Sequence, residues 1–271
     1  MKLILCAVFA CLSQCVTAQQ QKLFLAAGQS NAVGMGDSLA SVIPTGDKVF
    51  EYRFTGDELR PLKDPVGFNE LHFQIANTGS LWPAFADAYS RLTNKGVIIV
   101  PAARGGSSCH KKAELSNYGT WDTTGNLPLF DSAVIKTKAA LKKTGAKLNG
   151  IIWSQGERDA NAINAKQMNV EEYSGAMEGL INRFRKAFGK DIKFYIIQTG
   201  YYIHHQQEGF DAVRKAQEDL AKKVNYVFIV YNQTGRFSDM GWMKDEIHYS
   251  QPALNDIGKE IARQILKAEK K

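Results

Sequence analysis

The feature that most constrains this chain is its alternation of short apolar runs with longer segments at helical spacing. The runs are Leu23 to Ala27, Val97 to Pro101, Gly150 to Trp153, Phe194 to Gln198 and Tyr226 to Tyr231. Rich in Val, Ile and aromatic residues, they read as strands buried on both faces. Between them lie Leu81 to Leu92, Phe130 to Lys143, Val170 to Phe188 and Gly209 to Lys223, with a last helix expected near Ala253 to Lys267. Val170, Tyr173, Met177, Leu180, Ile181, Phe184 and Phe188 make one apolar stripe, and Phe210, Val213, Leu220 and Val224 another. Strands that alternate with helices argue a parallel sheet carrying helices on both faces. The expected fold is therefore of the α/β class, a three-layer α/β/α sandwich with a mainly parallel central sheet. Val49 to Phe54 also alternates like a strand, but polar and Gly/Pro-rich sequence follows it through Thr78. It is read as a hairpin insertion rather than a sheet member.

Residues 1 to 18 stand apart from this pattern. Lys2 is followed by the apolar run Leu3 to Leu12 and by the small-residue site Val16-Thr17-Ala18, which together read as a signal peptide cleaved after Ala18. An apolar run of about ten residues is too short for a membrane span, which needs roughly 20. Cys11 and Cys15 raise the alternative of a lipid anchor, although Phe9 and Gln14 fit poorly before them. The expected location is secreted or periplasmic. With 271 residues, 44% of them hydrophobic, the remainder from 19 to 271 suits one large domain. Of the four cysteines only Cys109 would remain, which excludes an intrachain disulfide and a cysteine-based zinc site. The formal charge of +7 loses only Lys2 with the leader. Because the other basic residues are dispersed among acidic ones, they read as solvated surface and not as a nucleic-acid face.

In an open parallel sheet, ligands sit beyond the carboxyl ends of the strands. Gln29, Ser30 and Asn31 follow the first run; Ala103-Arg104-Gly105-Gly106-Ser107-Ser108 follows the second; Ser154-Gln155-Gly156-Glu157-Arg158-Asp159 follows the third. Near the end of the chain, Asp245-Glu246-Ile247-His248 precedes the last helix. Ester hydrolysis needs a nucleophile, a base, a carboxylate to hold that base and donors for the oxyanion. Ser30 is the candidate nucleophile and His248 the base, with Asp245 three residues before it. The N–H groups of Ser30 and Gly106 and the side-chain amide of Gln155 are candidate oxyanion donors.

The four blocks GQSNAVG, ARGGSS, WSQGERDA and DEIH resemble, in this order, those of the SGNH/GDSL hydrolase superfamily. Within it they resemble the sialate O-acetylesterase-like and acetylxylan esterase branch, carbohydrate esterase family six. They extend from Gly28 to His248. The resemblance implies a flavodoxin-like α/β/α fold and removal of acetyl groups from sugars without a cofactor or metal. It implies the same roles for Ser30, Gly106, Gln155 and His248, and an acid that is either Asp245 or Glu157. Asp245 is favoured for its nearness to His248 in sequence. Two departures are mild: Ala32-Val33-Gly34 stands where the family has Met-Ala-Gly, and Ser107 where it commonly has Thr. The expected function is a serine esterase that removes O-acetyl groups from acetylxylan or a related plant polysaccharide. The alternatives are a sialate O-acetylesterase and a non-catalytic carbohydrate-binding protein on the same fold.

Candidate substrate contacts are Gln29, Asn31, Arg104 and Tyr201, with Arg158 able to meet a substrate carboxylate or to serve in a structural ion pair. Trp82, Trp121, Trp242 and Tyr201-Tyr202 offer flat faces to sugar rings, about half of them expected in the core. The adjacent pair His204-His205 reads as surface rather than as a metal site. Specificity is expected from Val49 to Thr78, Cys109 to Leu127 and Tyr201 to Glu208.

Overall fold

The computed structural model describes residues 21–46 and 48–270, so the leader lies outside the described residues. The sheet contains strands β1 (Lys22–Gly28), β2 (Val49–Arg53), β3 (Glu58–Pro61), β4 (Val97–Ala103), β5 (Leu148–Ser154), β6 (Phe194–Ile197) and β7 (Val227–Tyr231). Its seven strands run in the order β3-β2-β4-β1-β5-β6-β7. All neighbouring pairs are parallel except β2 with β3.

The period-two side-chain pattern of β1 explains the three layers. Leu23, Leu25 and Ala27 enter one core, whereas Phe24 and Ala26 enter the other. On the first face pack α3 (Phe130–Thr144), α4 (Glu157–Asn164), α5 (Val170–Phe188) and α6 (Glu208–Lys223). On the second pack α1 (Ser30–Val33), α2 (Trp82–Thr93) and α7 (Gln251–Glu269). Tyr173, Met177, Leu180, Ile181 and Phe184 of α5 are fully buried, while Val170 and Phe188 at the stripe's ends are partly covered.

The reading of Val49 to Phe54 needs correction. Strand β2 is a member of the main sheet, pairing parallel to β4 from Val49↔Val97 to Glu51↔Ile99, and β3 folds back on it to close the edge. The polar, Gly/Pro-rich sequence after it is tied back to the strand by Glu51, which is buried, accepts from Gly67 N–H at 2.6 Å and pairs with Arg53 at 2.9 Å. Helix α4 begins at Glu157, within the polar corner that the sequence shows after β5.

Strand β1 lies between β4 on one side and β5, β6 and β7 on the other, so the order reverses at its carboxyl end. Such a switch point opens a crevice above the sheet. The chain places Ser30, the Gly105-Gly106 turn and the start of α4 there.

Candidate active site

The crevice begins with an enforced turn at Gly28. At φ +141° a side chain is strained, and a Cβ would stand 2.0 Å from the Ser154 carbonyl oxygen of the next strand. The tight exit makes Ser30 the first residue of α1, where its N–H has no intrahelical partner. Ser30 remains at the floor of a cleft of about 730 Å³ that also exposes Gln29, Gly105, Gly106 and His248.

His248 reaches this floor on the turn before α7. Its Nε2 lies 3.0 Å from Ser30 Oγ, and its Nδ1 lies 2.8 Å from Asp245 Oδ2. The other Asp245 oxygen accepts the backbone N–H groups of Ile247 at 2.9 Å and His248 at 2.8 Å. Burial raises the Asp245 pKa, but these two N–H donors and the His248 ring outweigh it and hold the carboxyl below its usual range. A carboxylate so fixed keeps the proton on Nδ1 and leaves the Nε2 lone pair for the Ser30 hydroxyl. The arrangement can therefore draw a proton from Ser30 as its oxygen attacks an electrophile.

Gly106 supplies the opposite side of the cleft. Its φ is +73°, and a Cβ there would press on Tyr118 at 2.9 Å. Its N–H finds no hydrogen-bond acceptor among the described residues, whereas Gly105 N–H donates to Gln74 Oε1 at 2.7 Å. Among the described residues the N–H groups of Ser30 and Gly106 both lack an acceptor, and both residues line the cleft.

A family profile described as carbohydrate esterase, sialic acid-specific acetylesterase, matches residues 20–267. The chain belongs to this family. Its membership supports a carbohydrate O-acetylesterase. Among solved structures, a protein from Arabidopsis thaliana matches with a TM-score of 0.69 at 20% identity, covering 92% of this chain and 98% of that one. NanS matches at 0.65 and 18% identity, covering 93% and 98%. A carbohydrate acetylesterase from Xanthomonas citri matches at 0.58 and 18% identity over 90% of this chain, which spans 55% of that longer one. At these identities the likeness is one of fold. No curated protein sequence matches the chain.

Within this family member, several expected site residues turn away from the cleft. Gln155 is fully buried, and its Nε2 donates to Asp159 and, at 3.3 Å, to Ser107 O, so the amide expected at the oxyanion is spent inside the protein. Asn31 is 2% exposed. Its Nδ2 donates to Glu157 Oε1 at 2.9 Å and Ile247 O at 3.2 Å, and its Oδ1 accepts from Tyr249 N–H at 3.3 Å. It is not a substrate contact. Glu157, buried at 1% exposure, meets Asn31 and not His248, whose Nδ1 belongs to Asp245.

Arg104 and Tyr201 are also corrected. The Arg104 guanidinium donates to the carbonyls of His72, Asn117 and Tyr118 at 2.7–2.9 Å, clamping two loops together. The Tyr201 hydroxyl donates to Asp211, with the Arg214 guanidinium over its ring at 5.5 Å. Neither lines the cleft. Trp82 and Trp121 are core residues, and Trp242 packs on Phe237. The Tyr201 to Glu208 loop contributes nothing to the cleft, unlike the other two expected specificity segments, which supply Asn69, Gln74 to Asn77, Leu115 and Tyr118.

Asp159 was missed. Burial raises its pKa against the opposing pull of Cys109 N–H, His110 N–H and Gln155 Nε2. It holds the chain just beyond the Gly106 turn. Its signal was available, since it stands four residues after Gln155 within WSQGERDA, one helical turn on. Among the described residues no group of three or more His, Cys, Asp or Glu side chains is placed to hold a metal ion.

Proposed function

We propose that the protein is a serine esterase that removes O-acetyl groups from a carbohydrate through an acetyl-enzyme intermediate. The observation that carries this reading is the continuous contact from Asp245 through His248 to Ser30 at the floor of an open cleft. His248 takes the Ser30 proton as Oγ attacks the acetyl carbonyl, and Asp245 stabilises the imidazolium. The N–H groups of Ser30 and Gly106 receive the oxyanion. Gln29 replaces Gln155 as the side-chain donor, because it lines the cleft and its carboxamide oxygen accepts from Arg158 N–H at 3.2 Å and Gly156 N–H at 3.4 Å. That leaves its Nε2 for the substrate. Protonated His248 releases the sugar alcohol, and a water then repeats the sequence to free acetate.

The cleft lining favours the sialate alternative over a neutral xylan. Among the described residues that line it there is no carboxylate, and the one Lys or Arg is Arg158, held through Nε by the Ala113 carbonyl at 2.7 Å. An uncompensated guanidinium beside amide side chains suits an acidic, hydroxyl-rich sugar. Acetate release should therefore be faster from acetylated sialic acid than from acetylated xylan, and absent with Ser30→Ala. Equal turnover of a chromogenic acetate ester by the wild type and Ser30→Ala would defeat the assignment of Ser30 and leave the binding-protein alternative.

A further inference from the structure

We infer that Asn31 and Glu157 form a positioning pair that seats the His248 imidazole on Ser30, an inference that rests on the esterase reading above. Asn31 follows Ser30 in α1. Its single carboxamide grips the chain on both sides of the histidine, donating to Ile247 O at 3.2 Å and accepting from Tyr249 N–H at 3.3 Å. The bonds from Asp245 to Ile247 and His248 set the shape of the turn, but Asp245 lies on that same turn and its side chain is 48% exposed. Lys244 Nζ and Glu246 O tie the segment's outer edge to Gly36 O at 3.2 Å and Ile203 N–H at 2.9 Å. Apart from Ser30 Oγ itself, the hydrogen bonds joining α1 to this segment among the described residues are those of Asn31.

A carboxamide can exchange its oxygen and nitrogen by a half-turn, which here would set an amide nitrogen against Tyr249 N–H and an oxygen against Ile247 O. Glu157 forbids that exchange. Its Oε1 accepts from Asn31 Nδ2 at 2.9 Å, so the nitrogen must face Glu157 and Ile247. Among the described residues Glu157 Oε2 has no hydrogen-bond partner, and the side chain is buried. A buried carboxylate with an open acceptor is costly, and its place in the first turn of α4, where the free N–H groups favour negative charge, offsets part of that cost. Both His248 nitrogens are occupied by Asp245 and Ser30, so Glu157 acts through Asn31 and not as a triad acid.

The test is steady-state hydrolysis of a chromogenic acetate ester by the wild type, Ser30→Ala, Asn31→Ala, Glu157→Ala, Glu157→Gln and the Asn31→Ala/Glu157→Ala double variant, each checked for cooperative thermal unfolding. Displacement of a reacting group by a fraction of an ångström predicts that Asn31→Ala and Glu157→Ala lower kcat by about 10- to 100-fold with little change in KM. Glu157→Gln keeps an acceptor oxygen for Asn31 and should recover most of the loss. The double variant should be no slower than Asn31→Ala, because the two residues act as one unit. A Glu157→Gln as slow as Glu157→Ala, multiplying effects in the double variant, or a wild-type kcat in Asn31→Ala would each overturn the pair. Should Asn31→Ala not fold, the Glu157→Gln to Glu157→Ala comparison decides alone. A wild type no faster than Ser30→Ala would bring down the esterase reading as well, which separates the two failures.

Discussion

At the scale of single residues, two glutamines and one aspartate separate chemistry from scaffolding. Gln29 lines the cleft, whereas Gln155 is sealed against Asp159. Losing one oxyanion donor costs about 2.7–4 kcal/mol of barrier, so Gln29→Ala should lower kcat by roughly 100- to 1000-fold in a chain that still folds, with some stability lost because the Gly156 and Arg158 N–H groups lose their acceptor. Gln155→Ala should instead lower stability by about 1–3 kcal/mol, since it strips a donor from a buried carboxyl. Urea unfolding beside kinetics distinguishes the two. Asp245 bears on pH. Its folded pKa is depressed below the unfolded value of about 3.9, so the stability it contributes is present above that value and is lost as pH falls through the depressed one. The carboxylate stays ionised throughout the neutral range. Asp245→Asn should therefore lower kcat by up to about 10⁴-fold at neutral pH, because Nδ1 loses the partner that fixes its proton and stabilises the imidazolium. A pH profile of the variant against the wild type reads this directly.

At the scale of elements, the wall of the cleft between β3 and α2 depends on a buried ion pair. Glu70 meets Lys136 of α3 at 2.8 Å, with side chains 2% and 0% exposed, and accepts from the N–H groups of Phe54 and Thr55. Burial raises the Glu70 pKa, but Lys136 and these donors more than reverse it. Glu70→Gln leaves Lys136 buried without its counter-charge and should cost about 3–5 kcal/mol, measured by chemical denaturation. The elements also explain what the sequence made legible. Strands β1, β4, β5 and β6 stood out because both their faces are largely buried, and β7 because it is apolar throughout; the order of the corners after them pointed to Ser30 and Gly106. The turn carrying Asp245 and His248 was legible because its acid and base are three residues apart. Helix α4 was not, because Glu157 to Asn164 carries one large apolar residue, Ile163, and the side chains it buries are Glu157, Asp159, Ala160 and Ala162. Without α4 the inward turn of Gln155 and Glu157 had no visible cause. Arg104 was misread for another reason: its carbonyl partners lie on two loops remote from it in sequence, and no local pattern encodes such contacts.

At the scale of the whole molecule, the sheet, the cleft and the turn before α7 serve one arrangement. Two helical layers bury the strands and leave their carboxyl ends open at the switch point beside β1. No helix among the described residues is long and apolar enough to cross a membrane. If the leader is removed as its pattern proposes, the processed chain isolated from outside the cytoplasm begins at Gln19, which N-terminal sequencing checks. The most direct measurement of the central claim is covalent labelling by a serine-directed phosphonate, with the site located by peptide mass spectrometry. The account predicts a single adduct on Ser30, lost in Ser30→Ala and much slowed in His248→Ala. Labelling that persists in Ser30→Ala, or that falls on another serine while acetate release continues, would contradict it.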